Sequence, residues 1–228
     1  MADEKNRRLL GGTRRSFLMK TTGAAAAVAG SNLLMHAGHA AKGTEQVVIL
    51  ADPGDVLAKE PPVQWAIARL RDNLESKGVN AEVLNSLDGI PVKAVVVLVA
   101  GYGTKFARTL LDGAELSLPG VPEALALVAG ESDGRKVLLA TGFDVRGIVY
   151  AVLELADRVH FADDPVAQLQ RQDRIVEEPA NRIRSIGRLF TSDIEDKAWF
   201  YDREFWKEYL SMLAEQRINR FAMTLGAG

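Results

Sequence analysis

Three groups of residues have types and spacing that could do chemistry. The first is acidic. Asp193, Glu195 and Asp196 crowd together just after an apolar, strand-like run. Carboxylates at a strand end can line a site, but the same residues suit a solvated loop that starts the next helix, and that is the reading the composition favours. The second group is Gly101-Tyr102-Gly103-Thr104-Lys105-Phe106, which follows a strong strand pattern. A dinucleotide-binding loop needs a third glycine where Phe106 stands and follows the first strand of its domain, so no nucleotide role is expected. The third group is histidine: His36, His39 and His160. The first two fall within the first forty residues, so a histidine metal cluster is not expected, and no cofactor is expected. The absence of cysteine excludes disulfides, thiolate ligands and a cysteine nucleophile.

The elements that must position such residues come from a chain of 228 residues with 47% apolar content, enough for one large domain or two small ones. The net charge of −2 hides an asymmetry. Residues 1–40 carry six Lys/Arg against two Asp/Glu, and the remainder carries 22 against 28. The mildly acidic remainder argues against nucleic acid as a partner.

Residues 13–20 (TRRSFLMK) resemble the twin-arginine export consensus, with the pair at Arg14 and Arg15. The apolar segment at 21–35 is rich in Ala and Gly. It is shorter than the ~20 strongly apolar residues of a permanent membrane span. Gly38-His39-Ala40 then offers small residues for cleavage before Ala41. The expectation is a leader over 1–40 that engages the twin-arginine export machinery, and a periplasmic or secreted mature protein.

In the mature part, residues 45–51 (EQVVILA) read as a strand. Pro61 and Pro62 open a helix with Val63, Ile67, Leu70 and Leu74 on one face, and Gly78 ends it. A short strand is expected over 79–84. A fully buried one is expected over 92–100 (VKAVVVLVA), where continuous apolar character requires cover on both faces. A further helix is expected over 105–111. Strands at 124–129 and 136–140 flank the Gly-bounded turn GESDG, a β-hairpin signal. A long helix follows over 144–159. Residues 160–178 read as a polar connector with a short strand at 174–176. A βαβ unit then spans a strand at 183–190, a helix capped by Asp202, and a strand at 220–225. The fold class expected is α/β: an accessory domain with a mixed sheet over 41–172, then the first βαβ unit of a (β/α)8 barrel over 173–228. Because such a barrel needs about 250 residues, the chain is expected to be the amino-terminal piece of a longer protein.

Two stretches resemble a known group of enzymes. Residues 140–157 (ATGFDVRGIVYAVLELAD) are similar to the end of the small α/β domain preceding the barrel in family 20 β-N-acetylhexosaminidases and family 67 α-glucuronidases. Residues 178–188 (EPANRIRSIGR), with Asn219-Arg220-Phe221 later, are similar to the beginning of that barrel. The resemblance implies a glycoside hydrolase acting on carbohydrate. Its catalytic carboxylates would lie on later strands, so no catalytic residue is assigned. A non-catalytic carbohydrate-binding or structural protein sharing the domain is the alternative.

The resemblance also implies a substrate-binding arginine on the first barrel strand with an aspartate five residues later. Arg188 and Asp193 match that spacing. Leu189 stands where the family has glycine, and Asp196 where it has a further arginine. Arg184 is a competing alignment, and a structural ion pair in the barrel wall is the competing role for Arg188. Trp65, Trp199 and Trp206 could line a sugar site, but Trp65 and Trp206 fit helix faces.

Overall fold

A computed structural model describes residues 46–86 and 88–226. The expected leader, with Arg14, Arg15 and the cleavage site, lies outside the described residues.

Runs of β-branched residues build the centre. The strands β1 (Val47–Ala51) and β3 (Val95–Gly101) are buried at every position. They share a six-stranded sheet of order β2-β1-β3-β5-β4-β6 with β2 (Ala81–Leu84), β4 (Leu125–Ser132), β5 (Arg135–Gly142) and β6 (Arg174–Glu177). β2, β1, β3 and β5 run parallel, while β4 is antiparallel to both β5 and β6. Successive side chains of a strand point to opposite faces, so each apolar run feeds two cores. Val47, Ile49, Val97 and Val99 meet α1 (Pro61–Ser76) and α3 (Val145–Phe161). Val48, Leu50, Val96 and Leu98 meet α2 (Lys105–Gly113) on the other face. The mixed α/β class read from the sequence is the class observed.

Local chemistry sets the boundaries. Pro61 and Pro62 occupy the first positions of α1, and Gly78 at φ 76° lets the chain leave it. The β4–β5 hairpin closes on Asp133 and Gly134, both at positive φ, as its tight turn demands. At the head of α3, the Asp144 carboxylate accepts from Gly147 N at 2.8 Å. Two glycines there permit close packing. A Cβ on Gly142 would lie 2.2 Å from Ile148 N, and one on Gly147 would lie 2.2 Å from Ala124 O.

The second region pairs β7 (Ser185–Phe190) with β8 (Arg220–Leu225) in parallel, Arg188 beside Met223. Two helices connect them: α5 (Asp193–Phe200) and α6 (Arg203–Glu215), the latter capped by Asp202 as expected.

Three expectations need correction. Residues 160–178 are not merely a connector: they hold a short helix, α4 (Pro165–Leu169), and β6, which completes the six-stranded sheet. The strand expected from Val92 starts at Val95, because Ala94 N turns back to Pro91 O and Val92 stays exposed. The acidic loop at 193–196 is the first turn of α5.

Candidate functional site

On β7 and β8 the alternation of side chains decides what each residue can reach. Arg188, Phe190, Phe221 and Met223 are half-buried, while Ser185, Gly187, Leu189, Arg220, Ala222 and Thr224 are exposed. The first set faces the crossover helices: Phe190 packs on Trp199 and Phe200, and Phe221 on Trp206 and Tyr209. The second set forms an open face with no covering element among the described residues.

Arg188 belongs to the helix-facing set. Its guanidinium carbon lies 4.1 Å from the centroid of Trp199, 5.0 Å from Phe205 and 5.5 Å from Tyr209. These are cation–π distances. Its Nε is buried without a partner, and no carboxylate among the described residues pairs with it. Aromatic rings line it on the helix side. Desolvating a cation is costly, and the ring faces recover part of that cost.

Asp193 begins α5 by its backbone, and its side chain lies outside the described residues. Glu195 donates its N–H to Ser192 Oγ at 3.2 Å, which caps the helix. Asp196 folds back on the preceding loop. It accepts from Thr191 Oγ1 at 2.7 Å, Thr191 N at 2.6 Å, Ser192 N at 3.1 Å and Trp199 Nε1 at 2.9 Å. The Thr191 hydroxyl and the two backbone N–H groups hold its carboxyl well below the usual carboxylate range. A carboxylate so stabilised stays ionised near neutrality and cannot supply a proton there. Its work is to fix the β7–α5 turn and to orient Trp199 over Arg188.

Arg184 is committed elsewhere. Its Nε donates to Arg217 O at 2.6 Å, one terminal nitrogen to Asn181 O at 2.8 Å, and the other to Glu123. The guanidinium also lies 5.9 Å from the Tyr150 ring of α3. A ligand could recruit Arg184 only by dismantling these bonds.

Sequence reasoning missed Glu123. It precedes β4, and its side chain is 5% exposed. Its carboxylate takes Arg184 on one oxygen, and Arg146 at 3.0 Å and Asn219 at 2.9 Å on the other. Its own N–H donates to Asp144 at 3.2 Å, the same carboxylate that caps α3. Burial alone would raise the Glu123 carboxyl, but the bonds from Arg184, Asn219 and Arg146 outweigh it and hold the group below its ordinary value. Glu123 adopts φ 69°. Left-handed backbone costs a residue with a Cβ about 1–2 kcal/mol. No local pattern marks this position, because its partners lie far along the chain.

The Gly101–Phe106 loop is closed from within. Asp55 accepts from Gly101 N, Leu57 N and Ala58 N, and Thr104 caps α2 through Ala107 N at 3.2 Å. A carboxylate already occupies an N–H that a phosphate would need, in keeping with the non-nucleotide reading. Trp65 packs against the α1/α3 core, and Trp206 donates to Phe200 O at 2.8 Å. Among the described residues, no group of His, Asp and Glu could hold a metal ion, and no helix is long and apolar enough to cross a membrane.

No protein-family model matches the chain, and no curated protein does. Among solved structures, the chain is similar to a GH138 enzyme described as targeting the pectin rhamnogalacturonan II. The TM-score is 0.54 at 20% identity, over 79% of this chain and 24% of that one. It also aligns with the structure of CpGH84D at a TM-score of 0.49 and 11% identity, over 79% of this chain and 34% of that one. The chain thus spans about a quarter of the GH138 enzyme's length. The first likeness shows a fold in common with a glycoside hydrolase.

Proposed function

We propose that this chain is the amino-terminal part of an exported glycoside hydrolase. In this reading the six-stranded sheet is an accessory domain, and β7–α5–α6–β8 opens a (β/α)8 barrel whose later strands carry the catalytic carboxylates. One observation carries the proposal: the described residues share the fold of a GH138 enzyme and present a parallel β7–β8 pair with an uncovered face. Parallel pairs occur in sheets covered on both faces, and further barrel strands would supply the pairing. The substrate is carbohydrate, and export runs through Arg14 and Arg15.

Arg188 is the residue whose surroundings suit a ligand role. Its Nε has no hydrogen-bond partner among the described residues, and its flat fork of donors suits two vicinal hydroxyls or a uronate carboxylate. Its direction toward α5 and α6 favours a second role, that of a ring-clad wall residue.

Hydrolysis of chromogenic glycosides and pectic oligosaccharides tests the proposal. A protein continued through the remaining strands should turn over at least one of them, and the 228-residue chain alone should turn over none. Turnover by the chain alone, or carbohydrate binding without hydrolysis by the longer protein, would sink it. In the longer protein, Arg188→Ala should lower kcat/KM by about 10²–10³ at unchanged Tm if Arg188 touches substrate. A lowered Tm with normal kcat/KM assigns it to the wall. For export, Lys at both Arg14 and Arg15 should leave the protein in the cytoplasm.

A further inference from the structure

The two regions meet through polar groups. Arg69 of α1 pairs with Glu215 of α6 at 2.6 Å. Arg217, just past α6, bonds Glu154 of α3 at 3.1 Å and Glu177 of β6 at 2.5 Å. Arg184 and Asn219, which stand immediately before β7 and β8, both end on Glu123. Asn219 also accepts from Arg184 N at 2.9 Å and donates to Arg182 O at 2.9 Å, so it ties the two strand starts to each other. The residues immediately before β7 and β8 thus converge on one buried carboxylate, and Arg69 and Arg217 add ion pairs of their own.

Backbone conformation points the same way. Glu123 and Arg217 are both non-glycine residues in the left-handed region, at φ 69° and 56°. Both lie at this junction, and each contributes to holding Arg184: Glu123 by its carboxylate, Arg217 by its carbonyl oxygen. Glycine would relax either position but would remove the side chain that bridges the regions. Strain kept at a position of this kind signals a demand on the side chain.

We propose that Glu123 is a positioning residue for the β7–β8 pair. It is a carboxylate of the sheet domain that fixes where the first parallel strands begin, and so fixes where Arg188 and its ring cage stand. The latch itself does not depend on the glycosidase reading; only the value of placing Arg188 rests on it.

Glu123→Gly separates this role from a merely local one. The substitution relieves the left-handed backbone and deletes the carboxylate. If Glu123 mattered only to its own loop, the variant would be silent or stabilising. As a latch, its loss should raise hydrogen exchange of β7 and β8 amides about ten-fold or more in the full chain, with β1, β3 and β5 unchanged. The Arg188 Nε–H resonance, shifted by three rings, should move toward its free-arginine position. Arg184→Gln cuts the same link from the other side and should give the same pattern, including where Glu123→Gly fails to fold. Wild-type exchange of β7 and β8 in both variants, or an equal rise in all strands, would overturn the proposal. Both outcomes are read without any substrate, so they stand apart from a failure of the glycosidase assay.

Discussion

β3 and β7 are both apolar strands in parallel sheets, yet they live in opposite conditions. Every residue of β3 is buried between two layers of helix, whereas no residue of β7 or β8 is fully buried. The sheet domain closes its own cores on both faces. The β7–β8 unit covers one face with α5 and α6, using a chain of rings that runs from Phe190 through Trp199 and Trp206 to Phe221. Its other face is open, and its seam with the sheet domain is largely ionic, with Ala214 packed on the α1/α3 core. Apolar closure on both faces is expected to stabilise the first region without help from the second. The second is held by groups whose energies depend on charge state and geometry, which makes it the part that a longer chain or a change of conditions can rearrange.

The largest way to break the contrast is Gly147→Ala. Its new Cβ would lie 2.2 Å from a backbone oxygen of Ala124, which cannot move without lifting β4. A loss of about 3 kcal/mol or more is expected, read as the main urea transition. It should carry both regions with it, because α3 supports each.

Asp144→Ala should cost about 1–2 kcal/mol. It removes the α3 cap and the acceptor for Glu123 N together. Tm should fall, and the Glu123 latch should loosen. An unchanged exchange rate in β7 would mean that the cap and the latch are independent.

Acid sharpens the comparison with a smaller effect. The folded Glu123 carboxyl lies below its ordinary value of 4.5, so its stabilisation is complete above that pH and disappears as pH falls through the lowered value. Asp157 acts in the opposite sense. Burial, then Glu215 and Glu154, raise it above 3.8, so the native form gains as pH falls through that raised value. Subtracting the stability of Glu123→Gln from that of the wild type isolates the latch. The difference should be constant at neutral pH and shrink below pH 4.5. A difference that grows with acid would contradict the assignment.

The smallest effect belongs to Arg71→Ala. Its pairs with Asp72 and Glu75 are solvent-exposed, and no resolvable shift of the urea midpoint is expected.

Much of the fold was legible because burial leaves periodic marks. The apolar run of β3, the proline start of α1, the Asp202 cap and the strand at 220–225 stand as read. α5 was overlooked because its acidic first turn looks like loop. Ser192 and Glu195, a Ser-x-x-Glu capping signal, would have found it. β6 was expected only as a connector strand, since RIVE is four residues long and partly exposed; its pairing with β4 depends on how the chain returns. The site was less legible. Spacing drew attention to Arg184, Arg188 and Asp193 but could not say which way each side chain turns. Strand alternation places Arg188 among rings. Glu123 holds Arg184 from 61 positions away and Asn219 from 96, separations at which no local pattern is written.

Unfolding in urea followed by two probes tests the division most directly. Trp199 and Trp206 lie in the β7–β8 unit and Trp65 in the sheet domain, so fluorescence reports chiefly on the former and far-ultraviolet circular dichroism on both. Fluorescence should change first, at a lower urea midpoint, with most of the ellipticity retained. Coincident transitions by the two probes would mean a single cooperative unit and would contradict a self-sufficient sheet domain carrying a latched βαβ pair.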